Sequence, residues 1–354
     1  MIEAAARRED AGRRPPVRLV RFGGLAFRVN VRTLAMIAVS LLLALVLAAW
    51  ALTLGSFRLP ISDVVGALTG GGSDDARFIV RELRLPRVLA ALLVGPMLAM
   101  SGAIFQGLVR NPLVSPDIIG INAGAAFAAV LWIVTGRPLE VLPFVAFAGA
   151  ALAAAAVYLL SWQGNVSGAR LVLVGIGINA MLTAGTSYLI IRAEINEASR
   201  AVLWMTGSVY ASTWGDVRVL ALALAILAPQ AVALMWPLRV MQVGDLTARS
   251  VGLPLERTRL ALILIACGLS AVAVAIAGPV GFVALMVPHF ARMLAGPIGG
   301  GVFVFAGVLG GLLVLGSDMI GQHALPVGLP VGVITAALGA PYFLFLLYRM
   351  NAQL

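Results

Sequence analysis

The run from Arg84 to Gly124 constrains the chain more than any other: RLPRVLAALLVGPMLAMSGAIFQGLVRNPLVSPDIIGINAG. An apolar helix rich in small residues leads to the amide Gln106. Asn111-Pro112 and then Ser115-Pro116-Asp117 break it before a second Gly/Ala-rich apolar stretch begins. A broken backbone survives at membrane depth only where neighbouring protein satisfies its free N–H and C=O groups. The segment therefore belongs inside a bundle of membrane helices. In transporters, helices that break inside such a bundle line the substrate's path.

The rest of the chain agrees. It is 61% hydrophobic and 11% charged, against about 45–50% and about 25% in soluble domains. The excess lies in long apolar runs. At roughly 20 residues per crossing, the reading is an all-α membrane protein of about ten transmembrane helices. Spans are expected near 33–54, 85–107, 118–135, 140–161, 170–191, 217–236, 260–277, 282–292, 301–320 and 331–348. Gly and Ala within these runs favour a compact bundle packed through small residues. Ala/Gly-rich helices running into a break recur around span two and around spans seven and eight, a weak echo of an inverted repeat.

Residues 1–32 form a basic tail, partly irregular, holding eight of the 25 arginines of a chain without lysine. The positive-inside rule places this tail, and both termini, in the cytoplasm of a multi-pass membrane protein. The tail lacks aromatic interleaving, which argues against nucleic-acid binding. Residues 33–354 then form one membrane domain, with a polar cytoplasmic loop at 237–259. The lone Cys267 rules out a disulfide within the chain. A short interfacial helix is expected within 192–215, where Trp204 and Trp214 lie.

Catalysis is not expected. A P-loop needs a lysine, and His289 and His323 lack companions for a metal site. Asp318 is the main intramembrane carboxylate, thin support for ion coupling. Energy for active transport would come from a partner, and the loop 237–259 is its docking place. Gly244 and Gly252 bracket a short helix containing Asp245, Leu246, Ala248 and Arg249, with Asp245 at the favourable N-terminal end. This reads either as a device that transmits a push or as an ordinary amphipathic connector. Arg58, Arg77, Arg81, Arg84 and Arg87 sit on the external side, where topology alone does not want them. Gln106 and Asn111 cap broken helices or line the pathway. Met97 and Met100 line an apolar passage or pack in the core. Asn122 and Asn179 read as interhelical hydrogen-bonding groups.

These segments resemble the FecCD/BtuC-type family, the permease subunits of ATP-driven importers for iron-siderophore complexes and vitamin B12. The landmarks are Arg84-Leu85-Pro86-Arg87, Ser101-Gly102-Ala103 with Gln106, Asn111-Pro112-Leu113, and Pro116-Asp117 with Gly120. They continue through Gly207-Ser208 with Trp214, Gly244 to Gly252, Gly278 to Val283 with Pro288-His289 and Arg292, Leu329 to Gly332, and Gly339-Ala340-Pro341. The branch most resembled is the second permease subunit of ferric-enterobactin importers. The resemblance implies a ten-span permease paired with a second permease subunit, two copies of a cytoplasmic ATPase carrying ATP and Mg, and a siderophore-binding protein. It implies the bacterial inner membrane as the location and no cofactor in this chain. Asp245 to Gly252 would be the coupling helix, and Arg84 and Arg87 would receive acidic residues of the binding protein, with lipid headgroups as the other reading. Gln322 stands where several relatives carry an arginine, and Gly328 where a Glu is frequent. That departure implies a heterodimer. Heme and cobalamin permeases, and an ion-coupled secondary transporter, are the alternatives.

Overall fold

The computed structural model describes residues 17–22, 25–55, 57–164, 166–324 and 326–351. Of the basic tail, 1–16, 23 and 24 lie outside the described residues, as does Asn165. The rest of the tail is regular rather than loose: β1 (Val17–Phe22) and β2 (Leu25–Asn30) pair antiparallel, Val17 opposite Asn30.

Everything else is helical. Among the described residues, eight helices are long and apolar enough to cross a membrane: α1 (Val31–Thr53), a continuous helix over Asp74–Val109, and those at Leu139–Ser161, Gly168–Arg192, Trp214–Ala233, Leu255–Ala277, Gly300–His323 and Val331–Tyr348. Two further apolar helices, Ile121–Val134 and Val283–Ala295, are shorter. At 1.5 Å per residue they reach only about 20 Å, less than a 30 Å hydrocarbon core. Both follow a break, as the sequence led us to expect. The ten predicted crossings are thus eight long helices and two shortened ones.

Span two begins earlier than the sequence suggested. After α2 (Ile61–Thr69), α3 (Asp74–Phe78) runs through a π-helical stretch, Ile79–Arg84, straight into α4 (Leu85–Val109). Helix α4 is the axis of the bundle, buried from Val94 to Gly107 almost without interruption. Glycine makes this possible. A Cβ on Gly95 would lie 2.1 Å from the carbonyl oxygen of Gly310, and one on Gly102 would lie 1.8 Å from that of Ala284. Helix α4 therefore meets both of these neighbours backbone to backbone, the close approach that drives helix association in lipid.

The first break comprises α5 (Pro116–Ile119), Gly120 at φ +91°, and α6 (Ile121–Val134). Asn122 donates to the Asp117 carboxylate and accepts a hydrogen bond from Ser270, tying the break to its neighbour across the core. Helix α7 (Leu142–Ser161) packs on α6 through Gly124 and Gly149. Helix α8 (Gly168–Arg192) is the least covered of the later long helices. The expected short helix within 192–215 is α9 (Ile195–Met205).

Helix α10 (Trp214–Ala233) starts in a capping box formed by Thr213 and Asp216. Then come α11 (Met235–Val243), α12 (Asp245–Ser250), α13 (Leu255–Ala277), α14 (Val283–Ala295), α15 (Gly300–His323) and α16 (Val331–Asn351). Three glycine motifs far apart in sequence meet at the second break. The Ser208 N–H donates to the Ala277 carbonyl at 2.7 Å, and the Gly332 N–H to that of Gly207 at 3.1 Å. Gly278 has φ +67°, and a Cβ there would lie 2.6 Å from the Trp204 carbonyl oxygen.

Candidate functional site

The 237–259 loop folds as its glycines require. Helix α12 is one and a half turns long. Its end is a Schellman motif: Leu253 N–H donates to the Ala248 carbonyl at 3.0 Å and Gly252 N–H to the Arg249 carbonyl at 2.9 Å. That geometry needs a left-handed residue, and Gly252 supplies it at φ +78°. Ala248 is fully buried, pinning one face of α12 to the bundle. On the other face Leu246 is 85% exposed, flanked by Val243 at 74% and Val251 at 56%, and Arg249 is exposed. An apolar cluster held out on a short rigid helix is the form of a partner-binding surface.

What joins α12 to the bundle was only half visible in sequence. The Asp245 carboxylate takes two guanidiniums: Arg110 at 2.7 Å and Arg259 at 3.0 Å. Arg110 is the left-handed residue (φ +57°) that ends α4, and it also donates to the Met241 carbonyl. Arg259, on α13, is nearly buried and also holds Glu256 at 3.0 Å. So α12 is clamped to the axial helix and to α13 through one carboxylate. A basic residue at the end of a broken helix was the available hint; its partner lies 135 residues away.

Gln106 caps rather than lines a passage. Pro288 sits inside α14 and has no N–H for the carbonyl of Ala284, four residues back. The Gln106 amide nitrogen replaces it, donating to the Ala284 and Leu285 carbonyls at 3.3 and 3.0 Å. Its oxygen accepts from Arg292 at 2.6 Å. Asn111 is exposed, and its side chain accepts from the Leu113 N–H at 2.9 Å, shaping the turn after α4. Both residues border a cavity of about 460 Å³. Met97 and Met100 are a correction: they are buried inside this chain, and Met100 packs on Gly307. Both fill the core, Met100 in the α4–α15 contact, and do not line a passage.

At the opposite end of the bundle the external arginines also need correcting. Arg84 donates to the Leu52 and Phe57 carbonyls at the end of α1. Arg81 does the same for Ala67 and Leu68 at the end of α2. Guanidiniums at helix C-termini satisfy orphan carbonyls and oppose the negative end of the dipole. Arg87 forms a two-pronged pair with Asp318 at 2.8 and 2.9 Å and lies over the Tyr210 ring, 4.9 Å from its centre. Arg84 and Arg87 are thus engaged within the chain, in roles the sequence did not suggest. Asp318 is a counter-ion to Arg87, not a coupling carboxylate.

The comparisons with known proteins decide the family. The chain matches the FecCD transport family over residues 36–349. It is a FecCD permease. Among its relatives, the permease is 40% identical over 335 residues to the achromobactin transport system permease protein CbrC of Dickeya dadantii (94% of this chain, 96% of that one). It is 39% identical over 306 residues to the ferric enterobactin transport system permease protein FepG of Escherichia coli (86% and 92%). In fold, the permease matches a metal-chelate type ABC transporter solved in an inward-facing conformation. The TM-score is 0.81 at 28% identity, over 89% of this chain and 99% of that one. The permease is a multi-pass transport subunit of an ABC importer and not an enzyme; ATP hydrolysis belongs to a separate chain.

Proposed function

We propose that this permease moves ferric-siderophore complexes into the cytoplasm by alternating access, driven by an ATPase that grips α12. The observation that carries this reading is the Asp245 clamp. A force applied to exposed Leu246 and its neighbours passes through one carboxylate into both α4, at Arg110, and α13, at Arg259. A mere connector has no use for that double tie. The siderophore assignment draws on relatives whose own substrates are achromobactin and ferric enterobactin.

The orientation follows from the same end. Thr33, at the start of α1, packs on Gly301, and Arg239 approaches Gly299, so α1 begins at the α12 end. With the basic tail preceding it, that end is cytoplasmic under the positive-inside rule, and both termini lie there. The full assembly has a second, different permease subunit, two ATPase copies with ATP and Mg, and a siderophore-binding protein at the outer end. The weakly covered α8 offers apolar surface to the second permease.

The test is uptake of several radiolabelled ferric siderophores by a strain deleted for this chain. Restoration of one class by the wild-type chain, and its loss in an ATPase-deficient background, is expected. Uptake that persists without the ATPase but collapses with the ion gradient would sink the reading. Copurification of the chain as a self-paired transporter would remove the heterodimer.

A further inference from the structure

The 460 Å³ cavity lies where α4, α11 and α14 end, beside α12. Its polar lining is Gln106, Arg110, Asn111, Gln242, His289 and Arg292. Arg110, Asn111 and Pro297 at its rim are exposed, so it opens at the α12 end. No lining residue is a carboxylate.

The charges do not balance inside it. Arg110 and Arg259 are matched by Asp245 and Glu256, two against two. Arg292 is not matched. Its neighbours are the Gln106 amide oxygen and the Tyr342 ring on α16, and among the described residues it has no carboxylate partner. A guanidinium carries five donors, and the hydrogen bond to Gln106 engages one of its nitrogens. A largely buried cation left this way is costly unless an anion completes it. Planar guanidinium forks suit tetrahedral oxyanions, and the amides of Asn111 and Gln242 add neutral donors at the wall.

We propose that this cavity is a binding site for a phosphate oxyanion, with Arg292 as its central ligand and Gln242 as a second contact. Phosphate reaches such a place from two sources: the headgroup of an anionic phospholipid, since basic pockets between membrane helices on the cytoplasmic side take such headgroups, or free phosphate in solution. A second, apolar cavity of about 190 Å³ lies along other residues of α14, among them Phe290 and Leu294, with Leu309 and Leu313 of α15. It offers room for an acyl chain, which favours the lipid. The site is independent of the cargo carried.

The experiment uses the purified transporter complex, stripped of lipid in detergent. Dioleoyl phosphatidylglycerol, dioleoyl phosphatidylcholine and inorganic phosphate are titrated separately, read by native mass spectrometry and by phosphorus NMR line width. One phosphatidylglycerol per permease, bound at least tenfold more weakly by Arg292→Gln and about threefold more weakly by Gln242→Ala, is the expected result. Saturable binding of inorganic phosphate with the same dependence keeps the site and assigns it to the soluble source. Equal binding of phosphatidylcholine and phosphatidylglycerol, or binding untouched by both substitutions, overturns the proposal. Gln106→Leu separates structure from ligation: it removes the tether while leaving the guanidinium, so binding is expected to fall far less than in Arg292→Gln. An equal fall would also overturn the proposal. Should Arg292→Gln fail to assemble, Gln242→Ala alone decides.

Discussion

At one end of the bundle Arg81 and Arg84 reach into backbone carbonyls and Arg87 into a buried carboxylate, while at the α12 end Arg110 and Arg259 converge on a carboxylate that is half exposed. The residue types are the same, but the mechanics differ. At the first end, each arginine closes a helix end or joins two helices within the chain. At the α12 end, the arginines hold a small helix whose apolar face is exposed. The lesson is that an arginine on the disfavoured side of a membrane protein does not by itself mark a docking site. Carbonyls at the ends of helices are an equally good destination for a guanidinium.

The sharpest way to break this contrast is Arg87→Ala. It strands Asp318, whose side chain is 7% exposed, and should cost about 3–5 kcal/mol, the usual penalty for half a buried pair. Thermal unfolding in detergent measures it. The double change Arg87→Met with Asp318→Leu should recover most of the loss, whereas a docking role predicts normal stability in the single variant and lost delivery in both. Next in size, Asp245→Ala should reduce ATP-driven uptake more than tenfold while the complex still assembles and unfolds near the wild-type temperature. Uptake within twofold of wild type would leave the clamp without a role in coupling. Arg84→Gln should lose about 1–2 kcal/mol, the cost of unsatisfied carbonyls, and make the end of α1 and the turn after it exchange hydrogen faster without changing ATPase assembly. Smallest is Gly252→Ala, where a left-handed backbone costs about 1 kcal/mol. It should weaken coupling in proportion to fraying of α12, read as ATP hydrolysis per siderophore transported.

The spans were legible because hydropathy and length decide membrane helices, and the breaks were legible where prolines cluster with Asn, Ser or Gly between two apolar runs, as at Asn111-Pro112, Ser115-Pro116 and Gly278-Pro279. A Gly-Pro pair alone is not a break, since Gly95-Pro96 lies inside α4. The short crossing at α14 was expected, whereas the late start of α6 at Ile121 was not. The arginine roles were not legible. Arg84 meets carbonyls 27 and 32 residues away, and Arg87 meets a carboxylate 231 residues away; no local pattern encodes either distance. Met97 and Met100 kept two readings because an apolar side chain looks the same lining a passage as filling a core; the structure places both in the core. The pairing of Gln106 with the Pro288 break stood closer to reach. A proline inside a helix always leaves a carbonyl wanting a donor, and an amide in an otherwise apolar helix is a donor seeking one.

The glycine contacts carry one last consequence. With bare backbone touching at Gly95–Gly310 and at Gly102–Ala284, α4 cannot slide along α15 or α14 without collision, because at these two points no side chain lies between them to rearrange. These three helices must travel as a single solid block. Whatever opens and shuts the route has to do so at the block's boundary and not through its middle.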